Sequence, residues 1–312
     1  MSLQREIFKD FIVEAGYVGT KGTHLPGTRV LNTGAFTPTA TAQNVDSRRP
    51  FGPAFGQILN YQSTFYSNYN SLQLTANKRF SKGYSILAAY TFSKAIDNGS
   101  YPTGRRAIRV GTIAQDQNNL HGEKGLSSFD TRHRFVVSYL YELPFFRKQE
   151  GALGKIFGGW QLNGITSFST GKPIVIQDSS DPNRDGVASD RPDVLFNPNL
   201  PRGQRTVARY WDTSAFVRIP GGTNRFGSAG RNIVIGPGYG NTDMSLFKRF
   251  TVKERTNLEL RWEVFNVFNK ANFDNPGGGA PSNDTASPIF GSLQSTLPNS
   301  QRIMQFALRI SF

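Results

Sequence analysis

The stretch QDSSDPNRDGVASDRPDV, residues 177–194, has the residue types and spacing of a chemical site. Asp181, Asn183 and Asp185 alternate as oxygen donors, and Gly186 follows where the chain must turn sharply, which is the opening of a calcium loop. A helix–loop–helix site would place a bidentate Glu at the twelfth position, and here that position is Pro192. Asp190 or Asp193 would have to fold back to complete the coordination. Ca²⁺ bound in the 178–193 loop is therefore the one cofactor the sequence suggests. Asp and Asn are also strong turn formers, so an acidic, turn-rich external loop accounts for the same residues.

No second stretch assembles a catalytic set. The three histidines (His24, His121 and His133) are far apart and lack metal-ligand spacing. There is no cysteine, hence no thiol nucleophile, disulfide or thiolate metal site. Serine is plentiful but never in a G-x-S-x-G elbow. The glycine groups GPGYG (236–240) and PGGG (276–279) lack the Lys-Ser/Thr of a phosphate loop. Glu14, Glu259 and Glu263 are expected to pair with Arg79, Arg261 or Arg309 rather than act as acid and base. The sequence thus predicts that the protein is not an enzyme.

The formal charge of +14 suggests an anionic partner, yet the basic residues are dispersed. Only Arg48-Arg49, RRAIR (105–109) and TRHR (131–134) are dense, which argues against nucleic acid. Hydrophobic residues are 37% and charged residues 19%, while Gly (32) and Pro (17) are abundant and Phe (25) far exceeds Met (3). That balance suits many strands joined by long polar connections rather than a helical protein. No run of eighteen apolar residues is present, which excludes an α-helical span. SLQREIFKDF near Met1 has no signal-peptide character.

The elements that would position these residues are strands of period two. Leu72, Leu74 and Ala76 oppose Ser71, Gln73, Thr75 and Asn77, and Tyr84, Ile86, Ala88, Tyr90 and Phe92 oppose Ser85, Leu87, Ala89 and Thr91. The same holds for Phe135–Tyr141, for Trp160–Phe168 and for TNLELRWEVF, where Leu258, Leu260, Trp262 and Val264 oppose Asn257, Glu259, Arg261 and Glu263. Each run is about ten residues, enough for a tilted strand to cross a bilayer. One face suits hydrocarbon; the other carries polar groups that a dry core could not satisfy. A closed barrel in a membrane meets both demands.

The expected strands are 1–9, 11–20, 66–80, 84–96, 132–143, 159–170, 242–251, 255–268 and 302–312, about nine in all. Short connections at 9–10, 81–83 and 252–254, and one of moderate length at 144–158, alternate with long ones at 20–65, 97–131, 171–241 and 269–301. The fold class is therefore all-β: an antiparallel transmembrane β-barrel segment with short periplasmic turns and long extracellular loops. The alternative is a soluble, basic β-sandwich that binds polysaccharide or nucleic acid.

In their order, the segments YNSLQLTANKRFSKGYSILAAYTFSKAID (69–97), SSFDTRHRFVVSYLYELPF (127–145), GGWQLNGITSFSTGKPI (158–174), FGSAGRNIVIGPGYGNTDMSLFKRF (226–250) and LELRWEVFNVFNKANFDNP (258–276) carry a resemblance. Together with the terminal strand, they resemble the C-terminal part of the barrel of TonB-dependent outer-membrane receptors, most closely the Oar-like type with a carboxypeptidase-regulatory-like domain. The resemblance implies that residues 1–312 are the C-terminal portion of a barrel of about 22 strands. It implies that plug, signal peptide and TonB-contacting motif lie outside this chain, and that TonB acts through the missing plug. It further implies energised uptake of a small-molecule, oligosaccharide or peptide ligand at the outer membrane of a Gram-negative-type cell. A terminal strand with Phe306, Leu308, Ile310 and Phe312 is what the barrel-assembly machinery recognises in such receptors. Outer-membrane lipid and lipopolysaccharide are the expected surroundings, with Arg48, Arg49, Arg105, Arg106 and Arg109 as candidate phosphate contacts. The competing function is a non-transport barrel, structural or adhesive.

Overall fold

The computed structural model describes residues 1–100, 113–253, 256–276 and 281–312. Nine long strands follow one another in chain order. They are β1 (Ser2–Phe8), β2 (Phe11–Leu31), β3 (Ile58–Ser81), β4 (Tyr84–Asp97), β5 (His133–Glu142), β6 (Trp160–Ser169), β7 (Tyr239–Lys253), β8 (Thr256–Phe265) and β9 (Ile303–Ser311). Each pairs antiparallel with the next, a single meander. Among the described residues β1 and β9 do not pair with each other, so the sheet is open at both edges.

Register decides which side chains share a face, because a slip of one residue would exchange lipid-facing and inward-facing sets. The ladder runs Ala15–Leu74–Tyr90–Phe135–Phe168 across five strands. A second row runs Tyr141–Leu162–Leu246–Trp262–Phe306. The apolar rows read from each strand alone thus join into one continuous face. The opposite face carries rows such as Leu140–Asn163–Ser245–Glu263–Gln305 and Glu14–Thr75–Ala89–Val136–Ser167–Asn241. Leu87, Val136, Leu140 and Ile165 make that inner face mixed rather than purely polar. A Cβ at Gly164 would come within 2.4 Å of the Tyr139 ring, so glycine there lets the ring lie across its neighbouring strand.

Turns at one end are tight. Lys82 (φ +54°) and Gly83 (φ +86°) both hold the left-handed backbone that a two-residue hairpin turn of matching twist requires. Between β5 and β6 a short helix, α1 (Gly151–Phe157), carries Leu153, Ile156 and Phe157 on its exposed surface. No helix among the described residues is long and apolar enough to cross a membrane.

At the other end the structure departs from expectation. The 20–65 connection is in large part ladder: β2 and β3 stay paired to Leu31↔Ile58, leaving 32–57 as the loop. The period-two signal is lost there because the register shifts at Gly22/Leu25 and Leu25/Gly27, and His24 adopts φ +56°. The remaining connections are not structureless either. Ile174, Ile176, Trp211, Ala215, Phe216, Ala229 and Val234 form a dry core, with Phe290 meeting Trp211 and Phe216 edge-on at 5.8 and 5.7 Å. The largest buried apolar cluster therefore lies in the loops, whereas strand residues such as Leu72 (43%), Leu260 (43%) and Phe168 (49%) stay exposed. Hydrophobic burial holds the cap together; the strands keep their apolar faces free for another apolar medium.

Candidate functional site

Two regions can do chemistry: the inner face of the sheet and the loop cap above it. On the inner face a groove of 650 Å³ is lined by Asn77, Ser85, Ser138, Asn163, Asp243 and Glu263, among others. At its side, Glu259 accepts from Arg249 Nε at 2.8 Å and from Arg261 Nε, while Glu263 accepts from Gln305 Nε2. Of the carboxylates expected to pair with arginines, Glu259 does so with Arg261, whereas Glu263 takes Gln305 instead and Glu14 stands exposed on its strand. Thr166 and Thr242 share a hydroxyl hydrogen bond of 3.1 Å across β6 and β7 on the other face.

That other face carries aromatic residues at two levels. Tyr84, Tyr139 and Tyr141 lie toward the tight turns, and Tyr90, Phe92, Phe135 and Phe168 toward the loops. Lys248 also faces this way near the turns, where its ammonium stands 5.3 Å from the Trp160 ring centre and 4.7 Å from Phe250 and donates to the Gly158 carbonyl. The side chain is 1% exposed, so its charge is met by the carbonyl and the two rings rather than by solvent.

The loop cap is locked by buried ion pairs. The Arg191 guanidinium meets Glu123 bidentately at 2.8 and 3.0 Å and donates to the Ala229 carbonyl at 2.8 Å. Arg231 bridges the Asp97 carboxylate and carbonyl, Ser100 Oγ at 3.0 Å and the Glu123 carbonyl at 2.8 Å. Neither pair was legible beforehand, because 68 and 134 residues separate the partners.

The anticipated cation residues lie in this cap. Asp181 accepts from the amides of Asp185 and Gly186, both at 3.1 Å; Asn183 accepts from Asp185 N at 3.2 Å, and Asp185 from Val187 N at 2.7 Å. Asp190 and Asp178 are buried beside them, at 1% and 0% exposure, and each leaves one carboxylate oxygen (Oδ2) without a hydrogen-bond partner. Burial first, then the charges of Asp185, Asp181 and Asp178, push the Asp190 carboxyl up to about 8. Burial likewise raises Asp185 to about 6 and also raises Asp181. Asp193 is not in this group: Arg225 holds it by two hydrogen bonds of 2.8 and 2.6 Å and lowers its carboxyl to about 2. Asp178 is the one member the sequence did not single out, since it precedes the alternating motif.

Of the basic residues, Arg48 donates to Asn44, to the Ala35 carbonyl and to the Thr41 and Arg184 carbonyls. Arg49 is buried, donating to Asp46 at 2.7 Å and to the Asn32 carbonyl. Arg48 thus ties its loop to the turn at Arg184, and Arg49 braces that same loop from within. Arg105, Arg106 and Arg109 lie outside the described residues. In β9, Phe306 stacks on Trp262 with centroids 6.1 Å apart, Leu308 and Ile310 pair with Leu260 and Leu258, and Phe312 follows the strand fully exposed. His133 opens β5 and shares a 2.8 Å hydrogen bond with the Tyr90 hydroxyl, while His24 and His121 lie elsewhere.

Comparison with known proteins adds three findings. The family model of the outer membrane beta barrel domain matches residues 1–305. No curated protein matches. Among solved structures, the outer membrane transporter YddB from Escherichia coli is similar at 10% identity and a TM-score of 0.46, covering 99% of this chain and 31% of that one. FpvA of P. aeruginosa, solved with heterologous pyoverdines, is similar at 12% identity and a TM-score of 0.39, covering 100% of this chain and 32% of that one. The chain spans about a third of the length of either.

Proposed function

The chain belongs to the outer membrane beta barrel domain family and resides in the outer membrane, and on that premise we propose that it forms part of the barrel of a TonB-dependent receptor that takes up an external ligand. The observation that supports this reading most is the two-faced register, with a largely apolar face running across the strands and an inner face carrying Glu259, Glu263, Arg249, Arg261 and Asn163. A wet interior of that kind suits passage or binding of a polar solute, and the ion-paired cap above it suits capture. The motifs quoted for the Oar-like receptors support the same reading. TonB, reached through a plug outside this chain, supplies the energy, the barrel-assembly machinery reads the strand ending in Phe312, and lipopolysaccharide surrounds the loop end.

The test is growth of a strain deleted for the gene. Iron chelates, cobalamin, oligosaccharides and oligopeptides are each supplied as sole source, with and without TonB. Loss of use of one nutrient class, matched by loss of TonB and restored by the gene, is the expected result. Full use of every class by the deleted strain would overturn the uptake reading while leaving the barrel intact.

A further inference from the structure

We propose that the loop cap holds a divalent cation of the calcium class between Asp178, Asp181, Asp185 and Asp190. The inference does not rest on the uptake reading.

Two buried, unpartnered carboxylate oxygens carry it. Asp190 Oδ2 and Asp178 Oδ2 are shut off from water and accept no hydrogen bond, and the Asp178 amide donates to the Asp190 carbonyl at 2.8 Å, which sets the two residues side by side. A buried ionised carboxylate without a partner is costly. The neighbouring cations do not relieve it. Arg191, next in sequence, is committed to Glu123 and the Ala229 carbonyl. Arg184 donates to the Ser180 carbonyl at 3.1 Å, and the half-exposed Arg218 reaches only Asp178, at 3.5 Å. In a chain with a formal charge of +14, Asp178 and Asp190 each keep a buried carboxylate oxygen on which no basic side chain closes. A hard cation taking six to eight oxygens at about 2.3–2.6 Å is the ligand that such a group would take. Asn183 Oδ1 and water can supply further oxygens.

Among the described residues no three acidic or histidine side chains are yet gathered tightly enough to hold a metal. The cation is what would draw them together. The gain would be spread beyond the site, because this turn is where loops meet. Gly34 N donates to the Asp185 carbonyl at 2.8 Å, Gln57 to the Gly186 carbonyl, Arg48 to the Arg184 carbonyl at 2.5 Å, and Gly222 N to the Pro182 carbonyl at 2.8 Å. A cation seated at 178–190 would therefore fasten the 32–57 loop to the loops around 182 and 222.

Calorimetric titration of the purified protein in detergent at pH 7.5, stripped with chelator and titrated with CaCl₂, tests this. One saturable event with a Kd of about 10⁻⁴–10⁻³ M, the range of extracellular calcium modules, is expected. Asp190→Asn should weaken it at least tenfold, and Asp193→Asn should leave it unchanged. Trypsin cleavage after Arg48 and Arg184 serves as a second readout. Calcium should slow it in the parent and not in Asp190→Asn, while without calcium the variant should resist at least as well as the parent. Absence of saturable heat, parent-like affinity in Asp190→Asn, or protection of that variant by calcium as strong as the parent's would each overturn the proposal. So would Mg²⁺ displacing Ca²⁺ at equal concentration, because magnesium demands a smaller, stricter octahedron.

Discussion

Val137 and Ser138 are neighbours in β5 with opposite duties, and exchanging each for arginine tests the membrane face. Val137 lies between Ala88 and Thr166 in the ladder, and Ser138 between Leu87 and Ile165. Along β4 the aromatic levels are marked by Tyr84 and Phe92, about 26 Å apart at ~3.3 Å per residue. Ala88, and Val137 opposite it, fall midway. With strands tilted by about 35–45°, the two levels stand roughly 20 Å apart along the membrane normal, close to the apolar band of an outer-membrane barrel. Val137→Arg therefore places a guanidinium at the hydrocarbon midplane, at a cost of about 2–4 kcal/mol. At 1.4 kcal/mol per tenfold, that lowers the folding equilibrium about 30- to 700-fold. Ser138→Arg points the same group into the polar interior and should stay within about 0.5 kcal/mol of the parent. Tyr84→Arg, at the boundary, should carry a lipid penalty of only about 0–1 kcal/mol. Urea titration of protein folded into phosphocholine vesicles, followed by tryptophan fluorescence, measures all three. Equal costs for Val137→Arg and Ser138→Arg, or the reverse order, would refute the assignment of faces and with it the barrel.

Three further outcomes follow from the cap. Phe65 is 3% exposed and its ring fills the space over Gly27 and Gly99, where added Cβ atoms would lie 1.9 and 2.4 Å away; Phe65→Ala should cost about 3–5 kcal/mol, read as faster proteolysis of the 32–57 loop. Arg231→Met leaves Asp97 buried and unpaired, which should cost about 3–5 kcal/mol, and Arg231→Met with Asp97→Asn should recover most of it; hydrogen exchange of the 97–100 and 230–232 amides reports both. For Asp193 the folded carboxyl, near 2, is more acidic than the unfolded value of 3.8 because Arg225 hydrogen-bonds the charged form. The folded state binds fewer protons, so the contribution of this pair is complete above about pH 4 and fades as pH falls through 2. Protection of the 225–228 amides, corrected for intrinsic exchange, should fall between about pH 4 and 2 in the parent, and Asp193→Asn should remove that step.

Strand faces were legible because period two is a local property. Leu258, Leu260 and Trp262 alternate with Glu259, Arg261 and Glu263 whatever their neighbours are, and the pairing with Ile310, Leu308 and Phe306 follows from the same alternation in β9. The β2–β3 extension was not legible, because register shifts between Gly22 and Gly27 erase the alternation while the backbone ladder continues. The cap was opaque for a different reason. Trp211, Phe216 and Phe290 look like isolated aromatics in polar loops, and only the folded chain brings them within 6 Å. Of the acidic group, the alternating motif showed Asp181, Asn183 and Asp185. The buried state of Asp178 and Asp190 depends on what packs over them, which no local pattern encodes.

The paired segment of β2 and β3 beyond Gly22 gives the cell surface a stiff mast. Nine further residues of β2, from Gly22 to Leu31, extend about 30 Å at ~3.3 Å each. Its crown, around Thr37–Thr39–Ala40, is exposed or half-exposed. A peptide tag inserted there would sit in the loop that joins the two strands, offering antibodies a handle on living cells without touching the wall beneath.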